Sequence, residues 1–415
     1  MNNINKSYKY LLLICLLFIF VNPLQACTTF LISGKYTKDG KPLLFKNRDT
    51  GCMDNALVLF EDGKYKYIAM VNGNEKWDKE VWGGYNETGF AIVNSAAYNN
   101  NTGDTTELKD QEGVVMKMAL QHCRTLQDFE RLLDTLNKPM GVDSNFGVID
   151  AYGGASYYET GNYNYKKFDA NDPDVAPQGF LVRTNFSVSG DTTEGYGFIR
   201  YNTAFQALNE GLERNQLNPQ YAFDKLSRNL YHSLTGTSLR DDIPGSRDTR
   251  DLRFFIDYIP RVSTSAAMLI VGTNNEKQAD EAMMWTVLGS PLCSVAVPVW
   301  LSAGKPLPRV LAMNDSLRAP LCNAALEFKK ECFPVTRGSG EKYINLSAVI
   351  NQEQTGYLQL LKPVENTIFE KAEKLCVHIA NGTKSHDDIQ AFYTWVDAYL
   401  NNSYKEKFDC SLVKK

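Results

Sequence analysis

Cys27-Thr28-Thr29-Phe30-Leu31-Ile32-Ser33, then Lys38-Asp39-Gly40, then Pro42-Leu43-Leu44-Phe45-Lys46-Asn47-Arg48-Asp49, is the stretch on which the fold turns. Two short β-prone runs flank a turn signal, which predicts a hairpin. A turn centred on residues 38–40 sets Cys27 opposite residues 50–52, with Lys46, Asn47, Arg48 and Asp49 near that end of the second strand. A cut between Ala26 and Cys27 would leave a cysteine with a free α-amine. An α-amine titrates at about 7.7–8 and a thiol at about 8.5, so the two exchange a proton at small cost. Nucleophile and general base then share one residue. Asp49 is placed to accept a hydrogen bond from the new ammonium, and a cation at Lys46 or Arg48 would favour the thiolate.

The residues before Cys27 support such a cut. Lys6 and Lys9 precede an almost unbroken apolar run at 11–21, which ends at Asn22-Pro23. That is the pattern of a secretory signal, too short for a comfortable membrane span. Residues 1–26 are therefore expected to be a signal peptide, and the mature chain to be periplasmic or secreted. A second reading competes. Leu24-Gln25-Ala26-Cys27 also fits a lipobox, in which the cysteine is lipidated and its amine acylated. On those four residues alone an envelope lipoprotein is favoured, and the two fates exclude each other, since an acylated amine is no base.

Downstream, β-prone runs at 57–60, 65–71, 90–93, 146–152, 155–159, 180–183 and 266–271 alternate with helical spacing at 112–137 and 200–231. This predicts an α+β fold of stacked sheets and helices. The catalytic body is assigned to 27–340, and residues 341–415 to a C-terminal helical extension with amphipathic helices at 365–379 and 387–400. Hydrophobic residues make up 43% of the 415-residue chain and charged residues 22%, and the net charge is −4. That balance, with no basic block, gives no reason to expect nucleic acid or an anionic membrane as partner. His122, His232, His378 and His386 are scattered, so no metal is expected, and no cofactor motif is present. Nine cysteines allow disulfides after export, Cys322 with Cys332 being a local candidate.

An amide-cleaving site also needs donors for an oxyanion. Asn94, just past a strand, and Asn185, in Arg183-Thr184-Asn185-Phe186, are candidates. Each taken alone is an ordinary turn residue.

Taken together, these motifs resemble a known group. Cys27-Thr28-Thr29, Asn47-Arg48-Asp49, Gly84-Tyr85-Asn86-Glu87-Thr88-Gly89-Phe90-Ala91 and Arg183-Thr184-Asn185 occur in the order and spacing seen in the choloylglycine hydrolase and acyl-CoA:6-aminopenicillanate acyltransferase family of N-terminal nucleophile hydrolases. The resemblance spans residues 27–300 and reverses the preference for a lipoprotein, which has no need of an Asn-x-Asp partner. It implies a four-layer αββα sandwich with Cys27 as nucleophile and base, and Asp49 holding the amine. It also implies Asn185 at the amine or the developing oxyanion, a residue near Asn94 as the other donor, and a later arginine steadying the nucleophile. Of Arg247, Arg250 and Arg253, Arg253 is preferred, although Asp241, Asp242, Asp248 and Asp251 make a solvated mixed-charge face the ordinary reading of that segment. Bile-salt hydrolases have Arg where Lys46 stands, and their corresponding Asn falls two positions beyond Asn94, so bile-salt specificity does not carry over. The expected activity is hydrolysis of a small-molecule linear N-acyl amide through a thioester. Acyl transfer is the near variant, and a non-catalytic envelope lipoprotein the alternative in which a lipid anchor would replace the free amine. Oligomeric state is left open.

Overall fold

β1 (Thr28–Ile32) and β2 (Leu43–Asp49) form the expected hairpin, with Thr28 opposite Asn47 and Thr29 opposite Lys46. Continued by one residue, this register sets Cys27 beside Arg48 rather than opposite residues 50–52. The cause is the connection: a 3-10 turn at Gly34–Tyr36, capped by Ser33, precedes the 38–40 turn and moves the loop centre toward the first strand. The computed structural model describes residues 26–74, 76–383 and 385–413, so the expected signal lies outside the described residues except for Ala26.

β3 (Asn55–Phe60), β4 (Tyr67–Asn72), β5 (Gly84–Asn86), β6 (Ala91–Ala96), β7 (Ser144–Ile149), β8 (Ala155–Thr160) and β9 (Tyr165–Asp169) make a seven-stranded antiparallel sheet in chain order. α1 (Glu112–His122) and α2 (Leu126–Thr135) interrupt it between β6 and β7, and Thr125 and Asp128 close a capping box at the start of α2. β10 (Phe180–Arg183) returns to pair with β1. After α3 (Phe198–Glu213) come a small ribbon, β11 (Tyr231–His232) with β12 (Thr237–Ser238), and then β13 (Leu252–Phe254). β14 (Thr264–Val271), β15 (Met283–Leu288) and β16 (Val297–Trp300) complete a six-stranded sheet ordered β10-β1-β2-β14-β15-β16. α4 (Pro320–Cys332), β17 (Tyr343–Asn345, paired with β13), α5 (Tyr357–Ala380) and α6 (His386–Phe408) follow.

The two sheets face each other, β1 and β2 against β6 and β7. α1 covers β5 and β6 from outside, while α3, α4 and α5 cover β1, β15 and β16 on the opposite side. This is the four-layer αββα arrangement that the motifs implied. It explains why β2 and β14 are buried along their whole length: each has one face on the other sheet and one on helices. The sheets approach closely at Gly147, where a Cβ would come within 3.0 Å of Leu44 Cδ1.

The stretch from 341, expected as a C-terminal extension, is built into this body. α5 supplies the helical layer over β16, and its buried Glu365 accepts two bonds from Arg228, at 2.8 and 2.6 Å. Every described cysteine is a free thiol. The Cys322–Cys332 bridge is not formed, because both residues lie on α4, ten residues apart and so about 15 Å along its axis.

Candidate functional site

Alternation along β2 decides the site. Lys46 and Arg48 point across the sandwich toward the seven-stranded sheet, and Asn47 and Asp49 point toward the helical side. Lys46 Nζ donates to Trp82 O (3.0 Å) and to Asn94 Oδ1 (2.6 Å). Arg48 donates to Asn55 Oδ1 and to Asn72 Oδ1 (2.7 Å), with its guanidinium 4.8 Å from the Trp82 ring centroid. On the other face, Asn47 bonds the Ser227 carbonyl and hydroxyl.

Cys27 immediately precedes β1, beside Arg48 when the register is continued, and is buried, at 6% exposure. It lines a cleft of about 820 Å³ together with Lys46, Arg48, Asp49, Trp82, Asn94 and Tyr98. The thiol lies 3.9 Å from the Asp49 carbonyl oxygen. The sequence brought Cys27, Asp49 and Asn94 to one place, and the structure keeps them together. Asn94 has its amide oxygen committed to Lys46 and one N–H to Ser144 Oγ at 3.2 Å. Asn185 sits just behind. Its amide donates to the Ala96 carbonyl at 2.8 Å, and its oxygen accepts from Arg200 at 2.8 Å.

Arg253 is not part of this site. It lies on β13, about a third exposed, and its guanidinium is paired with Asp251 and Asp242. The acid-rich segment around it satisfies the charge locally, so nothing draws the side chain inward. The arginine that reaches the cysteine is Arg200, from the first turn of α3. It donates to the Cys27 carbonyl (2.7 Å), Thr28 Oγ1 (3.0 Å) and Asn185 Oδ1. No motif marks Arg200, which falls between Ile199 and Tyr201 in an apolar helix start.

Asp49 is buried at 1% exposure. Its Oδ1 accepts from Thr264 Oγ1 at 2.5 Å, while Oδ2 has no hydrogen-bond partner among the described residues, the nearest cation being Arg261 at 3.8 Å. Burial raises its carboxyl pKa against the opposing pull of Arg261 and Arg200. Burial also lowers Lys46 to about 8 and Arg48 to about 10, the charge of Cys27 opposing both shifts. Tyr98, which local pattern does not mark, enters the cleft from a left-handed backbone (φ 67). Among the described residues no cluster of His, Cys, Asp and Glu could hold a metal ion, and no helix is long and apolar enough to cross a membrane.

Glu112, at the start of α1, also lines the cleft and is pushed up to about 7 by burial. Between its ordinary 4.5 and 7, the folded carboxyl keeps a proton that the unfolded chain has lost. Stability therefore falls as pH rises through that window, and the penalty is complete above about 7. Glu112→Gln should raise stability above about pH 7 by up to about 3 kcal/mol. Its gain in melting temperature over wild type should grow from about pH 4 to about pH 8. A constant difference would show that the carboxyl does not titrate there.

A two-sheet αββα sandwich with a cysteine at the head of a central strand, open to a cleft, is thus the class the fold and site define. No family model matches the sequence, and no curated protein matches it. Solved structures are similar to it. An N-acylethanolamine-hydrolyzing acid amidase ortholog from Caenorhabditis elegans aligns over 61% of this chain and 96% of its own, at 15% identity and TM-score 0.40. A penicillin V acylase from Agrobacterium tumefaciens aligns over 66% and 86%, at 14% and 0.38. A mutant conjugated bile acid hydrolase from Clostridium perfringens aligns over 67% and 93%, at 11% and 0.40.

Proposed function

We propose that the protein hydrolyses linear C–N amide bonds, with Cys27 as an N-terminal nucleophile exposed by cleavage after Ala26. The observation that carries this reading is Asp49 Oδ2, a carboxylate oxygen buried one strand from Cys27 with no hydrogen-bond partner among the described residues and only the longer ion pair to Arg261 at 3.8 Å. A buried acceptor left unpaired is costly. An α-ammonium on Cys27 would supply the donor, and the carboxylate would hold that amine against the thiol.

In this reading the amine takes the thiol proton and the sulfur attacks the amide carbon. Arg200 fixes the Cys27 carbonyl and thereby the geometry of the attack. Asn94 and Tyr98 line the cleft where the carbonyl oxygen becomes an oxyanion, and Asn185 positions Arg200. The proton passes from the α-amine to the leaving amine, and the acyl group remains on sulfur as a thioester. Water cleaves it by the same route, and an amine arriving in its place would give acyl transfer. The burial of Cys27 argues against the lipoprotein alternative, because a lipidated cysteine belongs at the membrane surface.

The test is intact mass and N-terminal analysis of protein from its native host, joined to a panel of N-acyl amides. The expected result is a chain lacking residues 1–26 with a free Cys27 amine and turnover of at least one amide. A diacylglyceryl or N-acylated Cys27 would overturn the mechanism.

A further inference from the structure

A second cavity, of about 640 Å³, shares no residue with the Cys27 cleft. Its walls are a turn of π-helix at Ala222–Ser227, the β11–β12 ribbon with the residues just after it, and the first turns of α5. Both helical walls depart from regular α geometry. The π turn, a form found mostly at functional sites, supplies Asp224 and Lys225 to the wall. In α5, Pro363 lacks the N–H that would bond the Gln359 carbonyl, and both residues line the cavity. Two helices that break their own pattern on the wall of one cavity mark it as a place where regular packing has yielded to another role.

Four cations and two carboxylates line this cavity. Arg228 is bound to both oxygens of Glu365, and its remaining bonds go to the Pro291 and Ser294 carbonyls. Lys362 is bound to both oxygens of Asp224, at 2.6 and 2.5 Å. The two carboxylates are thereby engaged. Lys225 and Arg240 remain, and neither side chain forms an ion pair or a hydrogen bond among the described residues. The charges acting on Arg240 oppose each other: Asp224, already held by Lys362, attracts it, and Arg228 repels it. Both spare cations are exposed, so they stand at the mouth. The interior is apolar around the closed Arg228–Glu365 pair, with Leu230, Val295, Ile350 and Leu361 buried and Leu358 half-buried in the wall.

We propose that this cavity is a second ligand site and that its ligand is an aliphatic carboxylate, the head held by the Arg240 guanidinium in a field that Lys225 strengthens, and the chain laid against Leu230, Val295, Ile350 and Leu358. A guanidinium presents parallel N–H groups that match the two oxygens of a carboxylate. A phosphate dianion fits less well, because Asp224 and Glu365 stay in the wall and repel its second charge. The volume falls within the range of about 300–1,000 Å³ usual for small-molecule sites, which are mostly apolar with a few polar groups that fix orientation. The proposal does not depend on the chemistry assigned to Cys27.

The probes are decanoate, decanol and decyl phosphate, titrated calorimetrically into the protein. Decanoate should bind about tenfold or more tightly than decanol, the magnitude expected of charge-assisted hydrogen bonds, and more tightly than decyl phosphate. Arg240→Met should weaken decanoate by about 10- to 100-fold while leaving decanol nearly unchanged, and Arg240→Lys should restore part of the loss. Leu358→Trp, which fills the cavity, should weaken both. Decanoate binding that neither Arg240→Met nor Leu358→Trp alters would place the acid elsewhere, in the Cys27 cleft, and overturn the proposal. Absence of binding, or equal affinity for decanoate and decanol, overturns it too, and tighter binding of decyl phosphate overturns the choice of carboxylate. Arg240 is exposed and its guanidinium makes no hydrogen bond among the described residues, so Arg240→Met is expected to fold. If Leu358→Trp does not, Arg240→Met and the comparison with decanol still decide.

Discussion

Cys27→Ala, matured to the same N-terminus, is expected to lose amide turnover entirely while remaining folded. Removing a covalent nucleophile costs on the order of 10⁶-fold in kcat, because the oxyanion donors and bound substrate can then assist only direct attack by water. The structural cost is small. Cys27 is buried at the head of β1, but its thiol has one weak contact, to the Asp49 carbonyl at 3.9 Å, and the bonds that fix the residue run through its backbone to Arg200. Deleting one sulfur from a cleft wall costs about 1 kcal/mol, a shift of only about 1 °C in melting temperature for a chain of this size. The check is a single-turnover assay read by intact mass. Wild type should carry a transient acyl adduct that maps to Cys27, and the alanine variant none. A folded Cys27→Ala protein with undiminished turnover would refute the proposed mechanism and redirect attention to another nucleophile in the cleft.

The hairpin that carries this site was legible because its signals are local. Two β-prone runs and a turn motif marked β1 and β2. The register was not, since it depends on a 3-10 turn at Gly34–Tyr36 that no local motif announces. That difference moved Cys27 from the neighbourhood of residues 50–52 to Arg48. Arg200 and Arg253 show the same limit from the other side. Arg253 sits in a conspicuous run of arginines, but Asp242 and Asp251 lie within reach and neutralise it at the surface. Arg200 has no acidic neighbour in sequence. It is drawn inward by oxygens more than a hundred residues away, at Cys27 and Thr28, and by Asn185. Contacts made by long-range packing leave no trace in a local pattern.

Asp49→Asn is the second large effect expected. Asn keeps the size and one carbonyl oxygen, so the Thr264 hydroxyl retains its acceptor and the six-stranded sheet its register. The change falls on the atom at Oδ2. In the wild type it is a buried acceptor without a hydrogen bond, in the field of three cations, Arg261, Arg200 and Lys329. An amide N–H₂ there would instead present hydrogens to the Cys27 ammonium and remove the only acid in the group. Losing the residue that orients a general base costs typically about 10²–10⁴-fold, so kcat should fall by about 10³-fold. The pH profile separates this role from a purely structural one. An anion beside an amine favours its protonated form, so Asp49 holds the α-amine pKa up and its removal lets the pKa fall from the ordinary range of about 7.7–8. The base must be unprotonated to act, so the acid limb of the kcat/KM profile should move to lower pH in Asp49→Asn even as the plateau drops. A lowered plateau with an unmoved limb would assign Asp49 to the support of β2 and β14 and leave the amine to be held by another group.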